Sequence, residues 1–200
     1  MRQKFNLRPH DAELGWESNH WIYCKFAVDL LPQLARQHEE VRQAWPGSPD
    51  QPVQDMHTKY PDLAVAVDER HRTSDSIRVY AAMAVEGFLN WYGVLRLGAD
   101  VFNGQFERLG LVPKLQALLL ICDAVVIERK DPLFQALEGV AATRNALVHP
   151  KAKELDPEGP LSPPKGNYCD AARGAVESMQ RFFEEFVEAV PEAEHLVPRG

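Results

Sequence analysis

The sequence predicts an all-α fold, a helical bundle of about five helices, on three observations. Apolar residues recur three or four apart over long windows, and no window alternates convincingly at period two. Prolines gather in two stretches, Pro46, Pro49, Pro52 and Pro61 in one and Pro150, Pro157, Pro160, Pro163 and Pro164 in the other, which leaves the intervening chain free to be helical. The chain has 200 residues, enough for one domain with a real core.

Taken in order, a first helix is expected from Glu17 to Trp45 on Trp21, Cys24, Val28, Leu31 and Leu34, bent at Pro32. Pro46 to Pro61 reads as a surface loop. The second helix, Thr73 to Gly98, opens with TSDS as a cap and runs through Ile77, Tyr80, Ala81, Ala84, Phe88, Trp91 and Leu95. Being apolar nearly all round from Tyr80 to Leu97, it reads as the central helix, with Gly87 and Gly93 allowing neighbours to approach. Its polar exceptions, Glu86 and Asn90, are four apart and share a face.

After a short segment from Asp100 to Gly110, a third helix is expected from Pro113 to Arg129 on Leu115, Leu118, Leu119, Cys122, Val125 and Val126. Asp131 and Pro132 give a start, cap and first-turn proline for the fourth, which carries Leu133, Ala136, Leu137, Val140, Ala141 and Leu147 and stops at Pro150. The second proline-rich loop runs to about Gly166. The fifth helix, Asn167 to Val190, is built on Ala171, Ala175, Met179, Phe182, Phe183, Phe186 and Val190. Residues 1–195 are read as a single domain, and LVPRG at 196–200 matches a thrombin recognition sequence of the kind left by expression vectors, so it is set apart.

With 22 Lys+Arg against 29 Asp+Glu the formal charge is −7, which argues against coating nucleic acid or an anionic membrane through bulk charge. Cys24, Cys122 and Cys169 are odd in number and never form a CxxC pair, so a reducing cytoplasm is expected and neither a disulfide framework nor a zinc ribbon is. No apolar run reaches the length of a membrane span or a secretion signal.

The segment that carries chemistry is Thr143 to Pro150, TRNALVHP. On an ideal helix a five-residue offset sets Arg144 and His149 about 140° apart, too far to converge. The proline alters this: a residue before Pro is pushed out of the αR region, so His149 can swing past the last turn toward the groove that Arg144 faces. The helix C-terminus favours imidazolium and keeps the group titratable near neutral pH. An arginine fork can grip phosphate oxygens, and a histidine can accept the proton of an RNA 2′-hydroxyl or protonate the leaving 5′-oxygen, with no metal or cofactor.

Arg144-Asn145-Ala146-Leu147-Val148-His149, followed by Pro150 and preceded by the apolar helix AAMAVEGFLNWYG, resembles the HEPN domains (higher eukaryotes and prokaryotes nucleotide-binding), whose signature is often RNxxxH. The resemblance spans roughly Thr73 to Val190, with Glu17 to Trp45 as a first element. It implies an RNA-binding hydrolase, a cytoplasmic, metal-independent endoribonuclease of toxin–antitoxin or antiviral defence type. A homodimer would join two motifs in one cleft, with Arg144 and His149 catalytic and Asn145 the motif's polar residue. Other such domains bind only a nucleotide or a protein partner, an antitoxin or a nucleotidyltransferase, and that is the alternative.

Plainer roles stand beside these. Arg144 can pair with Glu86 inside the bundle, and Glu86 can also position it; His149 can cap the helix; Asn145 can make a cross-helix hydrogen bond. His20 and Cys24 share a face at metal-ligand spacing but lack further ligands, so both read as core or surface. His38, His57 and His71 read as solvated, and Trp91, Tyr92, Phe182, Phe183 and Phe186 as core or dimer contact rather than a base-stacking platform. The acid excess lies partly in the last helix, whereas Arg144 to Lys153 holds no acid. Lys151 and Lys153 are therefore candidates for contacts to an RNA backbone.

Overall fold

The computed structural model of the chain describes residues 7–12, 18–44, 58, 60–148 and 168–198. These residues form seven α-helices and no strand, so the all-α class holds and the helices outnumber the expected five. The expected first helix divides at Leu30 into α1 (His20–Asp29) and α2 (Leu31–Ala44). Pro32 falls in the first turn of α2, where a proline is tolerated.

The largest departure is α3 (Pro61–Leu97), which begins twelve residues before Thr73 and runs 37 residues, about 55 Å. Its start signal is Pro61 at the first helical position. TSDS caps nothing: Thr73 Oγ1 donates back to the Glu69 carbonyl at 3.0 Å, and Ser74 Oγ donates to the Tyr168 carbonyl at 2.9 Å. Both hydroxyls are thereby accommodated in buried mid-helix positions, which removes the reason to end the helix there.

As expected of a central element, α3 packs against every other helix. Gly93 faces α4 (Ala99–Gln105), and a Cβ there would overlap the Phe102 ring and lie 3.2 Å from Leu118. Gly98, at φ 82°, ends α3 and returns the chain so that Phe102 reaches Gly93.

The expected helix Pro113–Arg129 is shorter than its apolar run. It forms α5 (Leu111–Leu118), then one π-helical turn at Leu119–Asp123, and stops at Ala124 with φ 55°. Val126, read as a core position, is 73% exposed beyond it. Next, α6 (Pro132–Val148) begins at the expected Asp-Pro pair, although Asp131 Oδ2 accepts from the Glu128 amide at 2.6 Å and so ties the preceding turn instead of capping the helix. The last helix, α7 (Tyr168–Ala189), leads into a 3-10 turn at Pro191–Leu196.

The core joins α3 to α7 through Phe88, Tyr92, Phe182 and Phe186, all fully buried, with Phe88 and Phe186 edge-on at 4.9 Å. Truncating either phenylalanine to alanine would cost about 3–5 kcal/mol. Leu196 and Val197, set apart on sequence grounds, are also buried in this core. A satellite cluster, Val41 with Leu63, Ala64 and Val67, ties α2 to the added first turns of α3. No helix among the described residues is long and apolar enough to cross a membrane.

Candidate functional site

Arg144 stands one turn before the end of α6 and faces the middle of α3. Its Nε lies 3.4 Å from Glu86 Oε2, with side chains 38% and 34% exposed, so the pair predicted from sequence forms at the surface. Among the described residues no hydrogen bond is formed by Arg144 Nη1 or Nη2, so the fork has donors that these residues do not use. Asn145 is exposed. His149, Pro150, Lys151 and Lys153 lie outside the described residues.

One turn along α3 from Glu86, Asn90 accepts a hydrogen bond of 2.5 Å through Oδ1 from Lys114 Nζ of α5. Lys114 is fully buried, and its ammonium lies 5.7 Å from the centre of the Phe102 ring. Burial pushes its pKa down and Arg144 adds to that, while Glu86 and Glu107 act to raise it. Glu86, Asn90, Lys114 and Arg144 therefore form one polar seam where α3, α5 and α6 meet. Lys114 is the member that sequence reasoning missed; a lysine inside the apolar pattern LVPKLQAL was the available signal.

A second polar network, also unforeseen, is buried under the N-terminal segment. Arg96 donates from Nη1 to Asp123 Oδ1 at 2.7 Å, from Nη2 to the Cys122 carbonyl at 2.7 Å and from Nε to the Arg8 carbonyl at 3.0 Å. Tyr92 donates to Asp123 Oδ2 at 2.7 Å, and His10 Nε2 contacts Tyr92, Arg96 and Asp123. This network accounts for the early end of α5, because Arg96 takes up a carbonyl that the π turn leaves free and Asp123 is drawn inward to pair with it. Desolvation, reinforced by the Asp123 charge, holds the Tyr92 hydroxyl well above its ordinary range and pushes the Cys122 thiol up to about 12. These groups are structural and inert as nucleophiles.

The remaining sequence candidates are placed as follows. His20 is buried against Phe88 and Trp91, and burial drives its pKa down to about 4. Burial raises the Cys24 thiol. Among the described residues no group of three or more His, Cys, Asp or Glu could hold a metal ion. His71 is not solvated: it stacks on Tyr168 with ring centres 3.8 Å apart. His38 is half-buried, and His57 lies outside the described residues. Tyr92, Phe182, Phe183 and Phe186 are core, whereas Trp91 is only half-buried and lines an open cleft.

Comparison of the chain with protein-family models, with curated proteins and with solved structures finds no match in any of the three.

Proposed function

We propose that the chain is a metal-independent endoribonuclease of HEPN type, acting as a homodimer that brings two Arg144–His149 motifs into one cleft. The observation that carries this reading is the state of Arg144: it is half-exposed near the end of α6, five residues before His149, with Nε 3.4 Å from Glu86 Oε2. A guanidinium in that state can receive a scissile phosphate and balance the charge that grows on its oxygens. The 2′-oxygen bonds to phosphorus while the bond to the 5′-oxygen breaks. One His149 takes the 2′-hydroxyl proton, the other supplies a proton to the leaving oxygen, and a 2′,3′-cyclic phosphate results. Glu86 positions Arg144, and Lys151 and Lys153 hold the RNA backbone. RNA is the substrate partner, and a toxin or defence role in the cytoplasm follows from the resemblance.

The test is incubation of the pure protein with RNA in EDTA, wild type beside His149→Ala and Arg144→Ala. Cyclic phosphate ends from the wild type alone are expected, and equal cleavage by all three removes the assignment. The Arg144–Glu86 ion pair favours a second reading, a non-catalytic module in which that pair is purely structural and the surface binds a nucleotide, an antitoxin or a nucleotidyltransferase. That reading expects no cleavage by any of the three proteins at any concentration.

A further inference from the structure

A cleft of about 260 Å³ opens beside the polar seam, between the start of α1, the middle of α3 and α4, and Asn90, Trp91, Asn103 and Glu107 stand in its wall. Its volume lies just below the range of about 300–1,000 Å³ for sites that take drug-sized ligands, which suits one aromatic heterocycle inside with the sugar and phosphate of a nucleotide left in the open mouth. The lining is mixed: an indole, three side-chain amides (Asn19, Asn90 and Asn103), the Ser18 hydroxyl and a single carboxylate, with no arginine or lysine in the wall to hold a phosphate.

The orientation of one amide is settled by its neighbour. Lys114 is an obligate donor, so the Asn90 atom it meets is Oδ1, and the group Asn90 can present to the cleft is its Nδ2 amide. The cleft thus offers an N–H donor from Asn90, a two-oxygen acceptor from Glu107 and a half-buried indole whose other neighbour is His20 at 5.4 Å. Among the four RNA bases only guanine places two adjacent donors, N1–H and the 2-amino group, beside a carbonyl acceptor. A carboxylate takes both donors at once, and an amide N–H takes O6.

We infer that this cleft is a pocket for a single unpaired guanine base, stacked on Trp91 and read by Glu107 and Asn90. The pocket rests on the ribonuclease reading for the strand that presents the base. It lies one helical turn from Glu86, and Lys114 joins the two places, so the guanine it holds is next to or near the scissile phosphate gripped by Arg144. Asn103, on the last turn of α4, is exposed at the rim and adds a hydrogen-bonding group that a sugar hydroxyl can use.

The experiment is titration of the full chain with GMP, IMP, AMP, CMP and UMP, followed by tryptophan fluorescence and calorimetry, in the wild type and in Glu107→Gln. GMP is expected to bind at least about tenfold more tightly than IMP, which lacks only the 2-amino group, and more tightly still than the other three. Glu107 is exposed, so Glu107→Gln keeps the fold and should reduce the GMP over IMP ratio to near one. Equal affinity for all five, no binding at millimolar concentration, or an unchanged ratio in Glu107→Gln overturns the pocket. The ribonuclease reading fails separately: selective GMP binding by a protein that cuts no RNA supports the pocket and removes the cleavage. Cleavage without base preference removes the pocket and keeps the cleavage.

Discussion

Arg96 and Arg144 each pair with a carboxylate, and the two pairs differ in almost every physical respect. Arg96 and Asp123 meet at 2.7 Å with side chains 7% and 6% exposed, and Arg96 spends every nitrogen of its fork on partners inside the chain. Arg144 and Glu86 meet at 3.4 Å, Nε to Oε2, with side chains 38% and 34% exposed. A buried pair whose donors are all used can only hold structure, because any incoming ligand must first displace partners that are costly to leave unpaired. A half-solvated pair contributes little to the fold and can be redirected. The same residue types therefore lock structure in one place and stay half-exposed to an incoming ligand in the other, and depth of burial decides which.

The largest effect expected from this contrast is at Arg96. Arg96→Met leaves the buried Asp123 carboxylate without its guanidinium partner and the Cys122 and Arg8 carbonyls without the Arg96 donor, and a urea melt should record a loss of about 3–5 kcal/mol. A loss under about 1 kcal/mol would erase the distinction between the two pairs.

The sequence makes the second pair legible and conceals the first, for a physical reason. Glu86 stands out as an acid in an apolar helix, and one turn of helix fixes which face it shares with Asn90. Arg96 and Asp123, by contrast, come from separate elements 27 residues apart, and each looks like an ordinary break in an apolar run. That is also why Pro113–Arg129 reads as one continuous helix: the periodicity of Leu115, Leu118, Leu119 and Cys122 is genuine, but the end is set by Arg96, a tertiary partner. TSDS misleads in the opposite direction, since Ser74 satisfies its hydroxyl on Tyr168, 94 residues away, and the helix passes through. The phenylalanine stripe of α7 and the Asp131–Pro132 start of α6 are read correctly because local spacing alone determines them. Lys114 escapes notice because a lone lysine usually reaches solvent, and only the contact with Asn90 shows that it does not.

His20 sharpens the contrast through pH. Its folded pKa of about 4 lies below the ordinary 6.5, so the native state excludes a proton that the unfolded chain binds. Its contribution is fully present above pH 6.5 and is lost as pH falls from 6.5 toward 4, about 3 kcal/mol across that window. His20→Phe keeps the aromatic packing against Phe88 and Trp91 and removes the titration. Stability measured at pH 7.5 and at pH 4.5 should therefore differ less in the variant than in the wild type, and an equal difference would mean that His20 is hydrated in the fold.

Gly93→Ala tests the same buried side by steric means, because the added Cβ must displace the Phe102 ring. A loss of about 1–3 kcal/mol is expected in thermal melts. An unchanged melting temperature would show that α4 can move away from α3 freely.

The smallest effect on stability is expected at the exposed pair, and there the size of the effect matters less than its separation from activity. Arg144→Ala and Glu86→Gln should each shift the unfolding free energy by no more than about 1 kcal/mol, since an ion pair this exposed is screened and costs side-chain entropy to hold. RNA cleavage by Arg144→Ala should nevertheless fall about 100-fold or more, the scale of losing one charge-stabilising donor from a reacting centre. Arg144→Lys separates charge from geometry: it keeps an ion pair with Glu86 within reach but lacks the planar fork that grips two phosphate oxygens. It should match the wild type in a melt and remain close to Arg144→Ala in cleavage. If Arg144→Lys instead restored cleavage, a point charge would suffice and the geometric part of the proposal would fall. If Arg144→Ala unfolded the chain, Arg144 would belong with Arg96, and the functional reading of the seam between α3, α5 and α6 would lose its basis.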